Sequence, residues 1–309
     1  MHGGMRWRLI LSGACGFLGV PRCGFFMMNL PRMLVAAVAV GCAVFTSTEA
    51  QQPKPLKALL VTGGCCHDYA KQKDLLKEGL EKRLNIVVEH AYSEDRGTSL
   101  ELELYKSADW AKGYDIVIHD ECWASVKNVP FVQGILAPHK AGTPAINLHC
   151  AAHCYRVGNP GTPQTPGTTE AMWFDFLGLQ SSGHGPQAPI SITFIDKNSP
   201  ITKGMSNWVT EKEELYNNVK VHDSAVPLAR GKQDASAFKM ESDQIGRNDC
   251  VLVWSNIYGA NKTRVFSTTL GHNNVTVGDD RYLDLVARGI LWATDKIEED
   301  GKAKQGYGK

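Results

Sequence analysis

Behind Leu148 the chain places His149, Cys150, His153 and Cys154 in one short run, separated only by alanines. Imidazoles suit two kinds of chemistry. As neutral ligands, together with a carboxylate, they hold a divalent cation such as zinc. As groups that titrate near neutral pH, they move protons. A cysteine in such a run offers a third chemistry, nucleophilic attack. Further titratable residues recur after other apolar runs: His67 and Asp68, Asp120 and Glu121, His184, Glu214 and His272. In isolation a His-Cys pair is more often packed and hydrogen-bonded than reactive, and a cysteine is often a small core residue. Recurrence at the ends of several apolar runs is what favours a site.

Positioning such residues requires a scaffold, and the chain shows one. Residues 57–62, 85–91, 114–119 and 145–148 read as strands, the first apolar enough to be buried on both faces and the last a buried strand of a parallel sheet. Between them, residues 71–84, 100–110 and 130–141 read as helices, the first from leucines at helical spacing. This alternation predicts a parallel sheet with helical crossovers. Ligands bind such sheets at the carboxyl ends of the strands, where the loops carrying His67, Asp120 and His149 fall. Residues 145–148, stopping abruptly at His149 before small residues, resemble a nucleophile elbow.

The later chain reads differently. Residues 158–167 are a loop rich in Gly, Pro and Thr, and 173–179 a short helix. His184 sits between glycines on a predicted loop. Strands are expected at 189–195, 219–221, 227–229, 250–254 and 264–270, with 212–217 as a charged stretch and 231–249 as a polar insertion. Residues 283–294 form a closing helix, and the polar tail beyond is expected to fray.

The 309 residues carry a formal net charge of +1 and are 43% hydrophobic. This disfavours a nucleic-acid-binding surface, which needs a basic excess. Residues 33–45 are an apolar run after Arg32, followed by small residues ending at Ala50. The pattern is that of a secretory signal peptide over residues 1–50, with translation starting at Met28 as an alternative. It is short for a membrane span, and the residues before Cys42 make a poor lipid-attachment signal. Residues 51–56 read as a linker, and the mature protein is expected in a periplasmic or extracellular, oxidising compartment. Cys65, Cys66, Cys122, Cys150, Cys154 and Cys250 then remain, with no Cys-x-x-Cys pair. Disulfides and packed thiols are equally open from spacing alone. The chain has no phosphate-binding loop, so no nucleotide cofactor is expected, and no Gly-x-Ser-x-Gly. Sequons stand at Asn261 and Asn274.

Taken in series, Thr62-Gly-Gly-Cys-Cys-His-Asp68, Leu148-His-Cys-Ala151, Gly183-His-Gly185, Glu213-Glu-Leu-Tyr216, Val253-Trp254, Arg264-Val-Phe266 and Thr269-Leu-Gly-His272 resemble the ThuA-like, trehalose-utilisation family across residues 57–296. The family's usual Asp-Glu-Leu-Tyr has Glu213 in its first place here. The resemblance implies a flavodoxin-like, class I glutamine amidotransferase-like α/β three-layer sandwich, with a mostly parallel central sheet and β-rich C-terminal additions. Amidotransferases carry their nucleophile in Gly-x-Cys-x-Gly. Here His149 takes that place and Cys150 falls one residue late, so the amidotransferase activity does not carry over.

The family is linked to catabolism of trehalose and related disaccharides through 3-keto sugars made by a partner sugar dehydrogenase. On that basis an exported protein acting on a disaccharide or keto-glycoside is expected. His149, His67, Glu214 and Asp68 are its expected catalytic groups. His149, His184 and His272 would hold a divalent metal, zinc foremost, and Glu121, Trp173, Tyr216 and Trp254 would contact the sugar. Two alternatives are a non-catalytic carbohydrate-binding protein, and a cysteine hydrolase using Cys150.

Overall fold

The computed structural model describes residues 52–234 and 248–309. The expected leader and most of the expected insertion at 231–249 lie outside these residues. Nine of the strands form one mixed sheet in the order β2-β1-β3-β4-β11-β10-β9-β6-β7. Strands β1 (Leu56–Gly64), β2 (Ile86–Ser93), β3 (Ile116–Cys122), β4 (Ala145–Leu148) and β11 (Thr263–Thr268) run parallel. An antiparallel wing continues from them: β10 (Asp249–Tyr258), β9 (Ala225–Lys232), β6 (His184–Phe194) and the edge strand β7 (Trp208–Tyr216). A separate pair joins β5 (Leu179–Gln180) to β8 (Lys220–Val221).

The central parallel strands are largely apolar because both faces are covered. Ala58, Leu60, Ile118 and Ile146 pack with Leu76 and Leu80 of α1 (Tyr69–Arg83) and Val286 and Ile290 of α5 (Asp280–Ala293). Their neighbours Leu59, Val61 and Val117 point the other way, onto Val132 and Ile135 of α2 (Val129–Lys140) and Phe176 of α3 (Met172–Leu177). Each such aliphatic side chain contributes roughly 1.5–3 kcal/mol by leaving water. Asn128 caps α2, Asn273 caps α4 (Asn274–Val277) and Asp279 caps α5, each accepting from a backbone N–H of the first turn. No described helix is long and apolar enough to cross a membrane.

Four local expectations need correction. The helix expected over 100–110 is a single 3-10 turn, Glu103–Lys106. Leu100, Leu102 and Leu104 pack at every second position, a spacing that cannot share one helical face. Asp120 and Glu121 lie inside β3, both buried, rather than in the loop behind it. His184 opens β6, and the charged stretch at 212–217 is the end of β7, with Glu213 and Glu214 buried.

The tail is also ordered. Asn85 donates its backbone N–H to the Tyr307 carbonyl, and Lys309 donates to Arg83. Ile297 is buried, and Tyr307 packs against the core. Truncation after Lys296 is therefore expected to cost about 2–4 kcal/mol, from the apolar surface of these two side chains. Urea unfolding of the truncated protein checks this; an unchanged midpoint would show the tail contributes nothing.

Candidate functional site

The carboxyl edge of the parallel strands gathers the site. Strand β1 ends at Gly63 and Gly64, with φ of 137° and 100°. Only glycine adopts such angles without strain, and they turn the chain so that His67 faces inward. Strand β4 ends at Leu148, and the next residue, His149, has a left-handed φ of 44°. A 3-10 turn, His149–His153, follows at once. This is the sharp turn of an elbow, with an imidazole where other enzymes hold a nucleophile. His272 arrives from the loop behind β11, and Glu214 from β7.

Glu214 is the centre of the arrangement. Its Oε2 lies 3.5 Å from His149 Nε2 and 3.5 Å from His184 Nε2, and its Oε1 lies 3.3 Å from His272 Nδ1. The ring centroid of His67 is 4.7 Å from that of His149 and 4.9 Å from that of His272. His67, His149 and His272 each offer a donor nitrogen within 4.8 Å of the others. Two of these rings are oriented from behind. His149 Nδ1 donates to the Thr269 carbonyl at 2.6 Å, and His67 Nδ1 to the His272 carbonyl at 3.2 Å. Tying Nδ1 in this way aims Nε2 into the site, the orientation that metal-ligating histidines take from a backbone carbonyl. His272 Nδ1 is buried without an aligned hydrogen-bond partner.

Electrostatics sharpen the contrast between these groups. Burial, with the neighbouring His149 and His272, pushes His67 down to about 3, so it is neutral at any physiological pH. Burial alone would raise the Glu214 carboxyl, but contacts from His149 and His272 pull it well below the usual carboxylate range. His272 is raised by the Glu214 carboxylate beside it. The site thus holds a fixed negative charge facing imidazole nitrogens.

The third imidazole closing on His149 and His272 is His67 rather than His184. His184 is 40% exposed at its side chain and stacks on Tyr216 at 5.4 Å between ring centroids. Tyr216 is itself buried, stacked on His153 at 4.1 Å, with its hydroxyl 3.5 Å from His149 Nε2. It orients the site from beneath rather than offering a surface to a sugar. Asp68 is exposed at the start of α1 and accepts from Asn274 Nδ2 at 2.7 Å.

Trp173 and Trp254 are core residues. Their indoles donate to the Ala151 and Leu177 carbonyls, and both are 1% exposed or less, so neither offers a stacking platform. Glu121 is likewise fully buried, away from the three imidazoles. It accepts from Tyr105 at 2.8 Å and Tyr155 at 3.1 Å and contacts His119 Nδ1 at 2.9 Å. Cys150 is bridged to Cys122, which leaves no thiol nucleophile at the elbow.

Three supporting residues have roles that the sequence did not assign, although Glu213 and Thr269 stand inside family-like motifs. Glu213 accepts from the His272 backbone N–H at 2.9 Å, Gln72 donates to the Gly271 and His272 carbonyls at 3.3 Å, and Thr269 supplies the carbonyl behind His149. The signal for Glu213 was its place in Glu213-Glu-Leu-Tyr216 and for Thr269 its place in Thr269-Leu-Gly-His272, whereas Gln72 had none. A narrow cleft of about 30 Å³ opens beside His67 and Asp68. A larger cavity of about 420 Å³, lined by Lys140, Asp175 and Tyr258, lies at the opposite edge of the sheet, away from this chemistry.

Glu121 belongs to a buried chain that reports on acid stability. His119 Nε2 lies 3.1 Å from His139 Nε2, and His139 Nδ1 donates to the Thr143 carbonyl at 2.7 Å. Burial, with His119 alongside, pushes His139 down to about 3. The unfolded chain takes up this proton near 6.5, so stability is complete above that pH and falls toward pH 3. The loss attributable to His139 is about 3 kcal/mol between pH 7 and pH 4. Urea unfolding across that range should show it, and His139→Gln should flatten the profile. An unchanged slope in the variant would remove His139 as the cause.

The architecture is a three-layer α/β sandwich whose largely parallel sheet carries an antiparallel wing. The chain belongs to the ThuA family, described as trehalose utilisation, which matches residues 57–293. Among solved structures it is similar to a ThuA-like protein from Parabacteroides merdae, with a TM-score of 0.58 at 20% identity, covering 82% of this chain and 92% of that one. A ThuA-like protein from Bacteroides uniformis gives a TM-score of 0.55 at 15% identity, covering 82% and 97%. A glutamine amidotransferase from Thermotoga maritima aligns with a TM-score of 0.40 at 8% identity, over 78% and 98%. None of the curated proteins matches the chain.

Proposed function

We propose that this ThuA protein is a carbohydrate-active enzyme for a disaccharide or keto-glycoside, using a divalent cation held by His67, His149 and His272 with Glu214. One observation carries the reading: a buried carboxylate faces imidazoles, two of which are tied from behind through Nδ1 to backbone carbonyls. The donor set of three imidazole nitrogens and one carboxylate suits zinc, and His272 Nδ1, with the Glu214 carboxylate 3.3 Å away, makes no aligned hydrogen bond that a cation would have to displace. When bound, the cation supplies a Lewis acid for a sugar carbonyl or hydroxyl.

The chain's own groups divide the remaining work. Glu214, held ionised, anchors positive charge and is too weak a base to serve as the main proton acceptor. His184, exposed and 3.5 Å from Glu214, is placed to pass a proton between substrate and solvent. Tyr216 fixes His149 and His184 by contact with both rings. Export behind the N-terminal leader, and a sugar dehydrogenase supplying the oxidised substrate, belong to the same proposal.

The test is elemental analysis of the purified protein, joined to a screen of disaccharides and their 3-keto forms. Stoichiometric zinc and turnover of one keto-glycoside are expected, and Glu214→Gln should lower that turnover by about 100-fold or more. Binding of sugar with no conversion at any metal loading would replace the enzyme by a carbohydrate-binding protein. The burial of Trp173 and Trp254 weighs against that alternative, because it removes the stacking surfaces such a protein would use.

A further inference from the structure

Four cysteines at the same edge take no part in the chemistry above, yet their sulfurs stand in one row. Cys65 and Cys66 are joined to each other, and Cys122 is joined to Cys150. Between the two bridges, Cys65 Sγ lies 3.5 Å from Cys122 Sγ. Exposure falls along the row: Cys66 is exposed, Cys65 half-buried, and Cys122 and Cys150 buried. Tyr69 and Tyr92 pack around the inner sulfurs. At the inner end, donor atoms of His67, Cys122 and Cys150 lie within 4.8 Å of one another. Thiol–disulfide exchange needs a thiolate in contact with a disulfide sulfur and an accessible point of entry. The row has both. Cys66 also has a left-handed φ of 80°, which turns it out from the end of β1.

We infer that the four sulfurs form one exchange relay, which accepts a reducing equivalent from a dithiol at Cys66 and delivers a Cys150 thiol beside His67. In the first step a thiolate of the dithiol attacks Cys66 Sγ. The Cys65–Cys66 bond breaks, and Cys65 leaves as a thiolate. The second thiol of the dithiol then displaces Cys66, which takes up a proton while the dithiol becomes a cyclic disulfide. In the next step the Cys65 thiolate attacks Cys122 Sγ across the 3.5 Å gap. A Cys65–Cys122 bond forms, the Cys122–Cys150 bond breaks, and Cys150 leaves with the electron pair and is protonated. One dithiol has been oxidised, one disulfide has been lost overall, and the remaining bridge has moved outward. The product adds a soft sulfur donor next to the histidines, a ligand type that shifts metal preference toward zinc and copper(I). None of these steps uses Glu214 or a cation, so the relay stands or falls separately from the carbohydrate reading.

The test exploits the asymmetry of the row. Cys66→Ser and Cys65→Ser are purified without reductant, held at mildly alkaline pH, alkylated, and mapped by peptide mass spectrometry under non-reducing conditions. Cys66→Ser frees the attacking Cys65, so a Cys65–Cys122 peptide should appear and alkylation of Cys150 should rise from none to a major share. Cys65→Ser removes the attacker, so Cys122–Cys150 should stay intact with Cys66 alkylated. If Cys66→Ser instead kept Cys122–Cys150 whole, with Cys65 fully alkylated, the two bridges would be independent and the relay wrong. Wild-type protein treated with one equivalent of dithiothreitol provides a readout that does not depend on a variant folding. Cys65–Cys122 with Cys66 and Cys150 alkylated supports the relay. Joint labelling of Cys65 and Cys66 with the inner bridge intact overturns it.

Discussion

His149→Ala is expected to lower the affinity of the purified protein for Zn²⁺ by at least about 100-fold, since loss of even an outer-shell partner costs 10–100-fold. His149 occupies the left-handed turn between β4 and the following 3-10 turn, and its Nδ1 bond to the Thr269 carbonyl aims Nε2 at Glu214. No neighbouring side chain can take that place, because Cys150 is bridged to Cys122 and His153 is turned away to Ser181 Oγ at 2.9 Å. Chelator competition or calorimetry with Zn²⁺ measures the loss. Two companions separate the ligand sets. His67→Ala should weaken binding as severely, whereas His184→Ala, at the exposed mouth, should leave it nearly unchanged. If His184→Ala were the damaging change and His67→Ala harmless, the set with His184 would be restored and the one with His67 abandoned.

Gly64→Ala is expected to destabilise the fold by about 3–5 kcal/mol, from a disfavoured backbone angle and a steric overlap acting together. The glycine has a φ of 100°, and an added Cβ would overlap the Cys122 carbonyl oxygen. That oxygen is backbone of the adjacent strand β3, so it cannot swing aside as a flexible side chain would. Gly113 provides the comparison: its φ is 88°, but nothing lies within 4 Å of a Cβ there. Gly113→Ala should therefore cost only about 1 kcal/mol, the backbone part alone. Urea unfolding of both variants decides the matter. Equal costs would show that the close approach at Cys122 contributes nothing. A relaxed Gly64→Ala protein should also displace His67, three residues on, and so lose affinity for the cation.

The parallel half of the sheet was legible because burial on both faces leaves a simple mark: Ala58 to Val61 are apolar at every position, and Ala145 to Leu148 at all but Asn147. The elbow at His149 was legible for a related reason, an apolar run that halts at a titratable residue. The antiparallel wing hid behind its charges. Glu211, Lys212, Glu213 and Glu214 look like a solvated loop, yet they lie in β7, where Glu213 bonds the backbone behind β11 and Glu214 meets the histidines. Charge was serving the site, and hydropathy reads such a strand as a loop. Trp173 and Trp254 misled in the opposite sense, since an indole with one buried carbonyl partner is as well satisfied in a core as at a sugar. The choice of His67 over His184 could not come from motifs, because Gly183-His-Gly185 and Cys66-His-Asp68 look equally like loops. The difference lies in which ring is buried, and burial depends on strands far apart in the chain.

That distance has a thermodynamic consequence. His67 and His272 touch across 205 positions of sequence, and Glu214 comes from the outermost strand of the wing. A ligand engaging these residues together binds only chains in which the first strand, the wing and the last loop are all assembled. Its binding free energy is then added to folding, by about 2.7 kcal/mol when the free ligand stands at 100 times its dissociation constant. Loading the centre would thus act as a mass-action latch on the edge strand β7, raising the melting temperature and slowing hydrogen exchange in that strand most of all.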